Sequence, residues 1–234
     1  MTAVAQFLAD APQFLRNNHV QFKGQSPPTA GRYWFLLIPV QSGARRRLGV
    51  FLGKSIGKAD AGAYEIRYRD ASMLSADARR DGMEFEAQWS GYLAGGKAQC
   101  ALDSSGPGIM LTPELTGCAI AFAATPDGRA RFSHYNLKDG SRTLDGAGMV
   151  SAARDDYAGN RFGVLTKEHY YGKSTADMRE GGAASVRPHA RASANIIGWR
   201  KGGQWTFWSQ YTDMKGQVRQ ILDVRQLAPG AWTG

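Results

Sequence analysis

Cysteine is scarce: only Cys100 and Cys118 occur in 234 residues, too few for a disulfide framework or a cysteine-built metal cluster. A reducing compartment suits such thiols, and neither a metal nor an organic cofactor is expected. Long apolar runs are absent too. No stretch of 18 consecutive apolar residues exists, so no membrane span is expected. The opening MTAVAQFLADAPQFLRNN has neither the basic start nor the unbroken apolar centre of a secretory signal. The chain is therefore expected to be soluble and made in the cytoplasm without a cleaved signal, a start compatible with delivery into a target-cell cytosol. No fixed-period repeat marks a solenoid.

Acidic residues are in short supply as well: 20 Asp and Glu face 29 Lys and Arg, a formal charge of +9. That balance favours an acidic partner, whether nucleic acid, anionic membrane or acidic protein. Arg45, Arg46 and Arg47 concentrate it within GARRRLG; on an exposed hairpin turn they would steer or bind an acidic or nucleic-acid-associated protein substrate. Hydrophobic residues at 43% and charged residues at 21% exclude a disordered chain. The length fits one domain spanning 1–234, expected to be a monomer.

Near the start, Val4, Phe7, Leu8, Ala11 and Leu15 share helical spacing, which predicts a docking helix split by Pro12 with Asp10 as a cap. RYWFLLIPV (32–40) and RRLGVFLG (46–53) predict a hairpin. AYEIRYR (63–69) and MEFEAQW (83–89) alternate as half-buried strands. ANIIGWR, QWTFWSQYT and QVRQILDV predict a terminal meander, whereas 138–193 reads as loops and short helices. Strands arriving as hairpins argue against a doubly wound fold. The expected class is α/β or α+β: a sandwich of mixed, mainly hairpin-built β-sheets flanked by helices and loops.

The stretch LTPELTGCAIAFAATPDGRARFSHYNL (111–137) carries the chemistry. TPDG fits a type I turn with Gly128 left-handed, a three-residue hairpin loop that sets Thr125 against Arg129. Counting back places Ile120 opposite His134 and Cys118 diagonal to His134 on one face. Each residue alone has a plain reading, Cys118 as a small core side chain and His134 as a packing residue. Together they are a candidate nucleophile and base, with the imidazole expected to favour the thiolate. Gly117 allows close backbone approach, and Gly117 with the Cys118 amide forms a candidate oxyanion site. Thr112, extended before Pro113, either caps the turn PELT or offers its hydroxyl or carbonyl to the far nitrogen of His134.

Thr112, then Leu-Thr-Gly directly before Cys118, then His134 on the next strand resembles the cysteine-dependent glutamine deamidases, the superfamily of cytotoxic necrotizing factor and the chemoreceptor glutamine deamidase. The likeness is greatest to Burkholderia lethal factor, whose Leu-Ser-Gly-Cys matches Leu115 to Cys118 with Thr116 in place of serine. NIIGWRKGGQWTFWSQY (195–211) is similar to that protein's closing strands. The resemblance implies a sandwich fold and an enzyme, a toxin or effector. Its Cys118 would attack a target protein's glutamine carboxamide with His134 as acid and base, leaving glutamate.

Two other readings stand beside it. One is a different cysteine amidase or peptidase using the same Cys118–His134 dyad; His169 and His189 are rival bases in loop-like sequence, and His19 reads as surface. The other is a basic aromatic binding module for nucleic acid or protein without catalysis, built on GARRRLG, RPHARAS, Trp199, Trp205 and Trp208.

Overall fold

The computed structural model describes residues 1–40, 62–69, 83–140, 142–170, 192–213 and 220–229. The split amino-terminal helix is present. Helix α1 (Ala3–Ala9) starts at Thr2, whose side chain accepts from the Ala5 amide. Asp10 then ends α1 and caps α2 (Ala11–Asn17), its carboxylate accepting from the Gln13 amide. Pro12 sits in the first turn of α2, where its missing N–H costs no helical bond.

Fourteen strands follow among the described residues: β1 (Asn18–Phe22), β2 (Gly31–Pro39), β3 (Gly62–Arg69), β4 (Glu84–Trp89), β5 (Lys97–Leu102), β6 (Ile109–Leu111), β7 (Ala119–Ala124), β8 (Ala130–Tyr135), β9 (Lys138–Asp139), β10 (Arg142–Thr143), β11 (Gly163–Leu165), β12 (Ala192–Lys201), β13 (Gln204–Asp213) and β14 (Gln220–Leu227). Helix α3 (Gly146–Asp156) lies between β10 and β11. An eight-stranded sheet runs β1-β3-β2-β4-β6-β12-β13-β14, and a four-stranded antiparallel sheet runs β11-β7-β8-β5. The large sheet is mixed: β1 pairs β3, and β4 pairs β6, in parallel. This is the α+β, sheet-dominated sandwich the sequence led us to expect. Among the described residues no helix is long and apolar enough to cross a membrane.

Alternation along the strands divides the core. Met110, Ala194, Ile196, Phe207 and Tyr211 of the large sheet face Ile120, Phe122 and Phe132 of the small one. Phe207 packs 4.6 Å from Phe122 and 5.6 Å from Phe132, centroid to centroid. The alternate residues Ile109, Leu111, Ile197 and Trp199 turn to the other face, against Phe7, Phe14 and Leu15 of α1 and α2. On the far side of the small sheet, Ala119, Ala121 and Ala123 make a flat floor on which α3 lays Met149, Ala153 and Tyr157.

The large sheet curls almost closed. Its β1 edge is met by side-chain amides: the Val20 N–H donates to Gln210 Oε1 and the Val20 carbonyl accepts from Asn195 Nδ2, each at 2.9 Å. Gln210 Nε2 also donates to the carbonyls of Leu15 and Asn18 at 2.7 Å. Buried amides thus satisfy an edge that no further strand reaches among the described residues.

One expectation changes, one is refined and one falls outside the described residues. His19, expected at the surface, is buried in β1. The region from 138 contains an eleven-residue helix, α3, as well as β11. Its sequence GAGMVSAARDD shows no broad apolar stripe, because only Met149 and Ala153 of the helix are buried apolar side chains against the alanine floor. The second strand expected over 46–53, with residues 171–191, lies outside the described residues.

Candidate functional site

The β7–β8 hairpin closes as the turn chemistry requires. The Gly128 amide donates to the Thr125 carbonyl at 3.1 Å, the Thr125 amide donates to the Arg129 carbonyl at 2.8 Å, and Gly128 has φ of 81°. Pairing then runs down to Ile120 opposite His134 and Ala119 opposite Tyr135. Cys118 stands immediately before β7 and shares the inner face with Ile120 and Phe122. His134 shares that face with Phe132, so Cys118 and His134 are diagonal neighbours, a relation spanning about 7 Å between strands.

A second sheet supplies the third residue. After β6 the chain leaves the large sheet through Thr112–Gly117 and is held on the way by Leu115, which bridges to Ala194 on β12 through bonds of 2.8 and 3.1 Å. Pro113 keeps Thr112 extended. The Thr112 hydroxyl lies 2.9 Å from His134 Nδ1. The side chain therefore serves the imidazole, and the turn PELT forms no helical turn for it to cap. His134 Nε2, buried, has no hydrogen-bond partner among the described residues.

Burial sets the charge states. Desolvation pushes the Cys118 thiol up to about 11 and His134 down to about 4. Between those values the resting pair is a thiol beside a neutral imidazole. Among the described residues no carboxylate offsets the cost of an imidazolium there, and desolvation alone lowers its pKa.

Two tyrosines that the sequence did not single out frame the pair. Tyr92 packs edge-on to His134, centroids 5.4 Å apart, and its hydroxyl accepts from Asn136 Nδ2 at 2.6 Å. It is half exposed, on a turn that begins with left-handed Gly91. Tyr170, fully buried, accepts from the Gly117 amide at 3.0 Å and donates to the Cys118 carbonyl at 2.8 Å. No signal within YYG points to this contact, which joins residues more than fifty positions apart. Among the described residues nothing lies within 4 Å of where a Cβ on Gly117 would stand.

The rival residues have other surroundings. His169 Nδ1 accepts from the Thr166 amide at 2.9 Å, closing the short 3-10 helix Lys167–His169. Cys100 faces the inner core and is pushed up to about 12 by burial. Both thiols are free. Trp199 and Trp205 are buried, and Trp208 is packed against the core, so they form no stacking platform. Arg45, Arg46, Arg47 and His189 lie outside the described residues.

No family model matches the chain, and no curated protein does. Among solved structures, the crystal structure of the C-terminal domain of CNFy from Yersinia pseudotuberculosis is similar over 95% of this chain and 98% of that one, with a TM-score of 0.42 and 10% identity.

Proposed function

We propose that the protein is a protein-glutamine deamidase, a toxin or effector that converts a glutamine of a target protein to glutamate through a Cys118 thioester. One observation carries this reading: the Thr112 hydroxyl holds His134 Nδ1 at 2.9 Å while Nε2, without a partner, shares a sheet face with Cys118. If Nδ1–H donates to Thr112, the lone pair on Nε2 is the base. The Leu-Thr-Gly-Cys motif, which resembles the Leu-Ser-Gly-Cys of the lethal factor, supports the glutamine specificity.

His134 Nε2 takes the thiol proton as Sγ bonds to the carboxamide carbon, and negative charge collects on the carboxamide oxygen. Collapse breaks the C–N bond, and the imidazolium returns the proton to departing ammonia. Water then adds to the thioester, giving its proton to His134. The C–S bond breaks, the thiolate regains that proton, and glutamate is released. A neutral pair suits this sequence, because the base stays unprotonated until attack. The product carries a negative charge where the substrate had none, enough to disable a regulatory surface.

The test is incubation of the protein with lysates from several cell types, followed by a mass-spectrometric search for glutamine-to-glutamate conversion. Conversion is expected with wild type and absent with Cys118→Ala. His134→Ala should reduce it about 100- to 10,000-fold. Thr112→Val should slow it, and Thr112→Ser should restore it. Conversion that persists in Cys118→Ala overturns the reading.

A further inference from the structure

We propose that Tyr170 is a positioning residue of this site: its hydroxyl fixes the Gly117–Cys118 backbone so that the Cys118 amide, and not the Gly117 amide, receives the oxyanion. This rests on the cysteine-nucleophile reading above. The Tyr170 hydroxyl has one proton to give and gives it to the Cys118 carbonyl at 2.8 Å; its lone pair takes the Gly117 N–H at 3.0 Å. The Gly117 amide is thereby engaged. The Cys118 N–H has no hydrogen-bond partner among the described residues. It is the backbone donor left at the nucleophile.

The ring is anchored for this task. Tyr170 has no exposed surface and belongs to the inner core with Leu115, Cys118 and Ile120. Its hydroxyl therefore reaches the turn from a rigid base, which is what an oxyanion donor needs if it is not to reorganise during reaction. Desolvation raises its phenol well above the usual range, so the hydroxyl stays protonated and keeps its bond to the Cys118 carbonyl.

Butanal tests this without a protein substrate. Its aldehyde matches the end of a glutamine side chain. Cys118 Sγ bonds to the carbonyl carbon and the thiol proton passes to the oxygen, giving a reversible hemithioacetal that protects Cys118 from iodoacetamide. In a Cys100→Ser background, Tyr170→Phe is expected to leave alkylation within twofold of the parent rate. Ten times more butanal, or still more, should be needed for half-protection. Equal protection in both proteins overturns the proposal, as does a parent that butanal does not protect.

Amide exchange in the unsubstituted protein keeps the proposal testable if Tyr170→Phe does not fold. The Gly117 amide should be protected throughout, and the Cys118 amide protected only when butanal is present. A Cys118 amide indifferent to butanal refutes the assignment. A supporting butanal result combined with no deamidation in any lysate would leave Tyr170 in its role and remove the deamidase reading alone.

Discussion

Residue by residue, the site differs from a charged cysteine–histidine pair in one respect that can be measured through stability. His134 titrates at about 4 in the fold and near 6.5 in an unfolded chain. Between those values the unfolded state binds more protons, so stability increases with pH. The contribution is fully present above about pH 6.5 and lost as pH falls through about 4. Urea unfolding of wild type should therefore show a loss of a few kcal/mol from pH 7 to 4 that His134→Gln lacks. Parallel curves for the two proteins would contradict a buried neutral imidazole. Cys118 acts at the other end. Its pKa is raised to about 11, so its contribution is complete below about pH 8.5 and disappears as pH rises through about 11. Iodoacetamide should label it about tenfold faster per pH unit across that window.

At the scale of elements, two contacts decide whether the site exists. The first is the turn that sets the β7–β8 register. A Cβ on Gly128 would clash with the Gly203 carbonyl oxygen, and its φ of 81° is already unfavourable for alanine. Gly128→Ala should cost roughly 1–3 kcal/mol, read as a lower melting temperature. Removing one turn residue should do more: a one-residue slip sends His134 to the opposite face and ends catalysis even in protein that stays folded. The second contact is Gln210, whose amide satisfies Val20, Leu15 and Asn18. Gln210→Ala removes the side-chain bonds to the buried Val20 amide and Leu15 carbonyl and to the half-buried Asn18 carbonyl, and should cost about 2–4 kcal/mol. Hydrogen exchange should quicken in β1 and α2 first, with the β7–β8 hairpin still protected. Uniform loss of protection would mean that β1 unfolds only with the whole molecule.

The whole molecule carries a formal charge of +9, and under the proposed function a protein substrate would meet that field before it met Cys118. Replacing Arg45, Arg46 and Arg47 by glutamate changes the charge by six units; on the exposed turn that the sequence leads us to expect, they would take no part in the attack by Cys118. The deamidation rate on an acidic protein substrate should fall, most at low ionic strength, with the deficit shrinking as salt shortens the Debye length. Alkylation of Cys118 by neutral iodoacetamide should not change. A deficit independent of salt would assign these arginines to direct contact, and no deficit at low salt would remove them from substrate capture.

What the sequence determined by itself was local. The Asp10 cap and Pro12 set the helix break. TPDG set a three-residue loop, and period-two alternation then carried the register, without further information, to Ile120 opposite His134. The likeness of Leu-Thr-Gly-Cys to the deamidases pointed to the same residues. What the tertiary structure decided was everything that joins distant segments. Thr112 comes from a different sheet, and its choice of the imidazole over a local cap depends on how the two sheets stack. Helix α3 was illegible because its stripe is matched to an alanine floor formed far from it in sequence. His19 is buried because β1 joins the large sheet beside β3. The low His134 pKa and the Tyr170 hydroxyl bridge follow from burial between layers. Desolvation depends on what surrounds a side chain in space, and the letters beside it in the chain do not record that.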